Sequence, residues 1–127
     1  MKLTGLVPVL KCQSVSQSLD FYKNTLQFVE IRTRKGPTEL EWVYLKSGNT
    51  YLMLELTDEP LNSQQSAQNP PIRLYFYTDD IKSFHQYMTA RQYKITDIEK
   101  TPYGLQQCTF YDPDGHKIEI GQTTDGS

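Results

Sequence analysis

The sequence has few of the residues from which metal centres and nucleophilic active sites are built. It contains only two histidines and two cysteines among its 127 residues. Cys12 and Cys108 have no metal-type spacing, so free thiols in a reducing cytosol are the simpler interpretation. The sequence shows no glycine-rich phosphate loop and no Ser-His-Asp or Cys-His arrangement. These absences give no support to a nucleotide-binding loop or a catalytic triad.

The sequence also lacks an excess of positive charge and any long apolar run. Its 13 basic and 15 acidic residues give a net charge of −2, so there is no electrostatic reason to expect a nucleic acid or an anionic membrane as partner. The apolar run at residues 6–10 is interrupted by Pro8 and is too short for a signal peptide or a membrane span. We therefore expect a cytoplasmic protein with no nucleic-acid or membrane partner.

Strand and helix patterns are present, and they follow one order that occurs twice. In the first half, strands are predicted at residues 6–11, 28–34, 40–45 and 50–56, with a helix after the first strand. In the second half, strands are predicted at residues 72–77, around 94–98 and in a final hairpin, with a helix that begins at residues 78–80. The hydrophobic content of 37% and aromatic content of 12% are sufficient for one globular core.

The two halves form a degenerate tandem repeat. Sliding the sequence by 65 residues aligns Tyr22 with Tyr87, and one residue of slippage brings Glu55 onto Glu119. Each half is too short to bury a good core alone, so the halves must pack on each other or on another chain. The predicted fold is α+β, a single domain whose tandem βαβββ modules form a curved eight-stranded mixed-sheet cleft. Its parts are module one (about 5–57), a polar connector (58–71) and module two (about 72–122).

The final hairpin is the most informative stretch of the chain. Residues 112–115, Asp-Pro-Asp-Gly, favour a tight turn between two strands. Strand alternation after the turn places Ile118 and Ile120 on one face and Glu119 on the other. A lone carboxylate opposite an apolar pair requires a partner. His116 follows the turn and is expected to be exposed.

These motifs resemble those of the vicinal oxygen chelate superfamily, which includes glyoxalase I, extradiol dioxygenases, fosfomycin-modifying enzymes and bleomycin resistance proteins. Residues 18–28 are similar to its first-helix signature, although Gln27 stands where glycine is usual. Residues 51–56 resemble its fourth strand, and residues 112–119 resemble its closing hairpin. The resemblance covers about residues 5–122. It also implies a homodimer, since members of this length commonly form their clefts between chains.

The resemblance further implies where a metal would be held. The metal enzymes of the superfamily take ligands from the first and last strands of each module. The last-strand positions are Glu55 and Glu119, but the first-strand positions fall on Pro8 and Arg73. Proline has no side-chain donor, and the guanidinium cannot act as a ligand. We expect Arg73 to lie between the two glutamates in place of a metal. We expect no metal cofactor; the alternative is one divalent metal held by Glu55 and Glu119.

The predicted strands and their edges carry many aromatic side chains. Core packing explains about half of them, but nine tyrosines are many for a core, because each buried hydroxyl needs a partner. On the concave side of a curved sheet they would form flat, amphipathic walls suited to a planar organic ligand. The predicted ligand-binding residues are Trp42, Tyr44, Tyr51, Glu55, Arg73, Tyr75, Tyr103 and Glu119.

The function that these patterns favour is metal-free binding of the bleomycin-resistance type. The protein would sequester a small aromatic or cationic compound without chemistry, with acidic residues such as Glu39 and Glu41 attracting a cation. The alternative is a divalent-metal-dependent glyoxalase-like lyase, thiol transferase or dioxygenase that recruits a further donor such as Gln13 or His116. A third possibility is a diverged scaffold that binds no small ligand.

Overall fold

The tandem arrangement of modules is present in the structure, a computed structural model that describes residues 1–59 and 72–124. The chain divides into two compact units, Met1–Leu61 and Asn62–Ser127. Each unit contains one βαβββ module with a four-stranded mixed sheet, which confirms the predicted α+β fold. The connector predicted at residues 58–71 lies mostly outside the described residues and stays a prediction.

The first module contains one helix and four strands. The strands are β1 (Val9–Cys12), β2 (Val29–Lys35), β3 (Leu40–Ser47) and β4 (Thr50–Leu56), and the helix is α1 (Val15–Leu26). The sheet order is β1-β4-β3-β2. The first strand pairs with the last in parallel, whereas the other pairs are antiparallel. The first and last strands of the module therefore lie side by side, and β1 and β2 form the edges of the sheet.

Helix α1 begins and ends at residues with distinct cap geometry. The Ser14 hydroxyl accepts a hydrogen bond from the Gln17 amide at 3.2 Å, which satisfies one of the donors left free at a helix start. The helix ends at Gln27, whose φ of 59° lies in the left-handed region that glycine adopts at lower cost. Inside the module, Tyr22 is fully buried and its ring meets that of Phe28 edge-on, with centroids 5.9 Å apart.

The second module repeats this plan. Its strands are β5 (Leu74–Tyr77), β6 (Glu99–Lys100), β7 (Leu105–Tyr111) and β8 (Lys117–Thr123), and its helix is α2 (Ile81–Ala90). The order β5-β8-β7-β6 again pairs the first strand with the last in parallel. Neither helix of the described residues has the length and apolar character needed to cross a membrane.

The core of the second module is built from one side of its sheet and the inner side of α2. Ile81, Met88 and Ile118 are fully buried. Cys108 is also buried, and its burial raises the pKa of the thiol to about 11. The thiol is therefore neutral and packs as a small apolar group.

One predicted strand is largely wrong. Residues 94–98 were expected to form a strand, but β6 contains only Glu99–Lys100. Thr96 explains the difference, because its amide donates to the Thr109 carbonyl at 3.0 Å while its hydroxyl accepts from the Thr109 amide at 2.8 Å. A side-chain oxygen thus replaces a carbonyl in the ladder, and regular pairing begins only afterwards.

Candidate functional site

Strand alternation separates the two faces of the first sheet. In β3, Val43 and Leu45 are fully buried, whereas Trp42 and Tyr44 are half-buried. Because the buried pair faces α1, Trp42 and Tyr44 point to the opposite side. We call this side the helix-distal face of the first sheet.

The register of the four strands aligns the side chains of this face in rungs across the sheet. Residues that pair on neighbouring strands project to the same side. The Trp42 rung, read from β2 to β1, consists of Arg34, Trp42, Glu55 and Lys11. The Tyr44 rung consists of Arg32, Tyr44, Met53 and Val9. The helix-distal face thus places arginines at one edge and aromatic rings beside them.

The aromatic side chains of this face form a continuous row. The rings of Trp42 and Tyr44 are stacked, with centroids 6.3 Å apart and an interplanar angle of 18°. Tyr44 and Tyr51 are stacked in turn at 5.7 Å and 25°. The ammonium of Lys46 lies 5.7 Å from the Tyr51 ring centroid, within the range of a cation–π contact. The aromatic row therefore presents flat ring surfaces along the sheet.

Glu55 has a cationic partner within its own module. Its Oε1 lies 2.8 Å from Nζ of Lys11, its neighbour across the parallel β1–β4 pair. The hydrogen bond to Glu55 and the charge of that carboxylate raise the pKa of Lys11. The charge of Glu55 is therefore largely compensated within the sheet.

A groove of about 600 Å³ lies beside the Trp42 rung. The side chains that line it come from β2, β3 and β4 and are Arg32, Thr33, Arg34, Glu41, Trp42, Glu55 and Leu56. A smaller cavity of about 340 Å³ includes Gln13 and Glu39. The larger groove has the size of a small-molecule site and combines one aromatic side chain, that of Trp42, with charged groups.

In the second module, a row of hydrogen-bonded polar side chains crosses the sheet; we call it the polar chain. The Tyr75 hydroxyl donates to Oε1 of Gln107 at 2.9 Å, and Nε2 of Gln107 lies 3.5 Å from Oε2 of Glu119. Nε of Arg73 lies 3.1 Å from Oε1 of Glu119. No hydrogen bond from the described residues reaches this buried oxygen, so the Arg73–Glu119 pair is held by charge rather than by an aligned N–H donor.

Tyr75 reaches Gln107 because a glycine lies beneath its ring. A Cβ atom at Gly121 would lie 2.6 Å from two ring carbons of Tyr75, closer than van der Waals contact allows. Burial, followed by the neighbouring Tyr77 and Glu119, raises the pKa of Tyr75. Its hydroxyl is therefore protonated near neutral pH and acts as the donor to Gln107.

The structure groups the predicted site residues by module. The residues Trp42, Tyr44, Tyr51 and Glu55 lie on the helix-distal face of the first sheet, and Tyr75 and Glu119 pair in the second. Tyr103 was expected on a strand or its edge, but it lies in the turn before β7 and is 71% exposed. The role of each residue in ligand binding stays a prediction.

A comparison with protein families identifies the chain. A family model described as a glyoxalase-like domain matches residues 6–125. The chain belongs to the glyoxalase-like domain family. A search of curated proteins found no match.

Solved structures share the fold of this glyoxalase-like domain at low sequence identity. TioX from Micromonospora sp. ML1 is 18% identical, with a TM-score of 0.76 and coverage of 94% of this chain and 98% of that one. A bleomycin-binding protein complexed with bleomycin is 18% identical, with a TM-score of 0.74 and coverage of 95% and 99%. The fosfomycin resistance protein FosX from Listeria monocytogenes is 15% identical, with a TM-score of 0.75 and coverage of 98% and 97%.

The residues at the expected ligand positions on the first and last strands of this glyoxalase-like domain do not fit a divalent metal. Glu55 is paired with the ammonium of Lys11 and Glu119 with the guanidinium of Arg73. The strand register also corrects one assignment: Leu10 pairs with Leu54 and Leu74 with Ile118, so the counterpart of Arg73 is Val9 rather than Pro8. Valine likewise offers no donor atom. Each glutamate therefore has a cation nearby, and neither first strand supplies a ligand at the matching position.

The histidine of the closing turn is not exposed, which contradicts the sequence-based expectation. The His116 side chain is 24% exposed, and its Nδ1 lies 2.8 Å from Oδ2 of Asp112. Oδ1 of Asp112 accepts the amides of Asp114 and His116 at 3.0 and 2.9 Å. Burial alone would lower the pKa of His116, but the hydrogen bond to Asp112 and the Asp112 charge outweigh it and raise that pKa. Both carboxylate oxygens of Asp112 thus contact polar groups of the turn and hold it together.

Sequence reasoning missed Lys11, Arg32, Arg34 and Gln107. Arg32 and Arg34 alternate along a predicted strand, and that pattern places both on one face. Which face, and beside which aromatic rings, depends on the β2–β3 register and its two irregularities. The pattern could have identified the arginines, but only the structure places them beside Tyr44 and Trp42.

Proposed function

We propose that this glyoxalase-like domain binds an aromatic small molecule on the helix-distal face of its first sheet, without metal-dependent chemistry. The observation that carries this proposal is the stacked aromatic row beside the groove of about 600 Å³. Parallel ring planes offer a surface on which a further planar ring can stack. We also propose that the protein is the predicted homodimer, which would contain two such grooves.

The ion pairs of Glu55 and Glu119 disfavour the cationic ligand that the sequence suggested and leave the aromatic ligand as the proposal. Glu55 and Glu119 were expected to attract a cation, but each already has a cationic partner at 2.8 Å and 3.1 Å. A further cation would have to compete with Lys11 or Arg73. The solved bleomycin complex of a protein with this fold supports small-molecule binding in general, but its identity of 18% carries no ligand assignment.

A fluorescence titration tests the proposal directly, because Trp42 is the only tryptophan in the chain. We expect planar aromatic compounds to change Trp42 emission with saturation and to raise the melting temperature. Tyr44→Leu should weaken binding about tenfold, since it removes one stacking surface of the row. Tyr111→Leu is the matched control, because that tyrosine is 41% exposed and lies in the second module.

Two outcomes would contradict the proposal. Saturating changes that persist unaltered in Tyr44→Leu would place the ligand elsewhere. The absence of any change over a broad panel of aromatic compounds, including bleomycin, would leave the groove without the proposed role.

Elemental analysis separates this proposal from the metalloenzyme alternative. Protein purified without chelator or affinity tag should contain less than about a tenth of an equivalent of zinc, nickel, manganese or iron. About one equivalent per chain would overturn the metal-free assignment. A hemithioacetal-converting activity lost in Glu119→Gln would then support the lyase, and full activity after chelation would speak against it.

A further inference from the structure

We infer that the ligand of the first-module groove is an aromatic anion, whose acidic group binds Arg32 and Arg34 while its ring stacks on the aromatic row. This inference rests on the proposed function and names the ligand class of the same site. The acidic group is a carboxylate, sulfonate or phosphate, since all three present oxygen atoms that a guanidinium binds in pairs.

The first argument is the position of the two arginines. They lie two residues apart in β2, pair with Tyr44 and Trp42, and therefore project to the same face as those rings. Strand geometry separates their Cα atoms by about 6.6 Å, a distance that two long side chains can close around one anion. Both arginines line the groove together with Trp42. An acidic group attached directly to an aromatic ring would span this arrangement.

The second argument is the charge balance of the groove. Among residues 1–59 and 72–124, neither Arg32 nor Arg34 forms an ion pair, whereas Glu55 is neutralised by Lys11. The remaining carboxylate of the lining belongs to Glu41, so two guanidinium groups face one free carboxylate. Positive charge therefore dominates locally although the chain has a net charge of −2.

The third argument is the nature of the cations. Guanidinium is planar, always charged and weakly hydrated, so it gives up water more readily than an ammonium and forms two parallel bonds to a carboxylate. It also lies readily against aromatic rings. A neutral ligand would leave both groups to water, and a cationic ligand would be repelled. The groove thus discriminates by charge as well as by shape.

Three probes of one shape test the inference by calorimetric titration. They are 2-naphthoate, 2-naphthamide and 2-naphthylmethylammonium. We expect 2-naphthoate to bind about tenfold more tightly than 2-naphthamide, and the ammonium to bind most weakly. Raising the sodium chloride concentration from about 20 mM to about 300 mM should weaken the binding of 2-naphthoate alone, because salt screens exposed charges.

Variants assign the preference to the two arginines. In the double variant Arg32→Gln, Arg34→Gln, the preference for 2-naphthoate over 2-naphthamide should fall below about twofold, with 2-naphthamide affinity unchanged. Both residues are exposed, so the fold should tolerate the change, as circular dichroism would verify. Arg91→Gln is the matched control, because this arginine lies over the Tyr87 ring at 3.7 Å in the second module.

The outcomes distinguish the inference from the proposed function. Equal affinity for 2-naphthoate and 2-naphthamide, or a preference that survives in the double variant, overturns the aromatic anion and leaves the aromatic site intact. Failure of all three probes to bind up to about 1 mM overturns the aromatic site, and the inference with it.

Discussion

Gly121 determines how the polar chain of the second module is assembled. It lies on the same face of β8 as Glu119, two residues along the strand, and pairs with Gln107 of β7. Without a side chain at this position, the Tyr75 ring can cross the strand and donate to Gln107 at 2.9 Å. The glycine is used here for close approach and not for an unusual backbone angle.

We therefore predict that Gly121→Ala displaces the Tyr75 ring and lowers the free energy of unfolding by about 1–3 kcal/mol, the cost of overpacking. Urea unfolding followed by circular dichroism measures this change. Gly5→Ala is the control, since a Cβ atom there meets nothing within 4 Å. In a Tyr75→Ala background the cost of Gly121→Ala should disappear, and an undiminished cost would show that another neighbour is responsible.

The ion pair between His116 and Asp112 predicts a pH dependence of stability. The pKa of His116 is raised above its ordinary value of 6.5, so its contribution is fully present below pH 6.5 and is lost as the pH rises through the folded-state pKa. Unfolding free energies of the wild type and His116→Gln should therefore differ most at acidic pH and converge at alkaline pH.

His85→Gln provides the control for this pH series, because the His85 ring lies 3.0 Å from the uncharged Thr96 carbonyl. A difference between wild type and His116→Gln that stays constant from about pH 5.5 to 8.5 would contradict the assignment of charge to this pair.

At the scale of elements, helix α1 depends on how its first turn is capped. Ser14 supplies the acceptor for the Gln17 amide at 3.2 Å, and there is no acidic residue in the first turn to assist it. We predict that Ser14→Ala lowers the free energy of unfolding by about 1 kcal/mol. Ser16→Ala is the matched control, since Ser16 lies inside the helix and is exposed, where alanine is the better helix former. Equal effects of the two substitutions in urea unfolding would contradict the capping role.

Local patterns predicted the elements but not their pairing. Alternation correctly separated Leu52 and Leu54, which are fully buried, from the side chains between them. The Lys11–Glu55 pair could not be predicted, because it depends on a parallel register between strands 44 residues apart. The error at residues 94–98 has a different cause, since a threonine hydroxyl took the place of a backbone acceptor. Periodicity along the sequence reveals neither the register between distant strands nor a hydroxyl group that replaces a backbone acceptor in the ladder.

At the scale of the whole molecule, the sequence repeat predicted two modules, and the structure contains them. The repeat is not uniform along the chain. Glu55 and Glu119 have equivalent positions in the two sheets, but their strand partners are Lys11 and Tyr75. Glu55 thus forms its ion pair with its strand partner, whereas Glu119 has an aromatic strand partner and pairs with Arg73 instead. The two sheets share a topology, but the chemistry at these equivalent positions differs.

The homodimer stays a prediction, and the exposed apolar side chains of the first module give it a physical basis. Val29 and Ile31, both in β2, are 58% and 48% exposed, and an exposed edge strand with apolar side chains favours association. Sedimentation velocity at micromolar concentration should give the mass of two chains. A mass of one chain at every concentration up to about 100 µM would contradict the prediction.

The parallel pairing of first and last strands has a consequence for the rate of folding. β1 can complete its ladder only after β4 is available, and β5 only after β8. Such long-range closure is slow, on the order of milliseconds to seconds. During synthesis the first sheet can close once Leu56 has left the ribosome, whereas the second must wait for Thr123. Stopped-flow refolding followed by Trp42 emission should report closure of the first sheet, and a phase seen in circular dichroism but not in Trp42 emission would then belong to the second sheet.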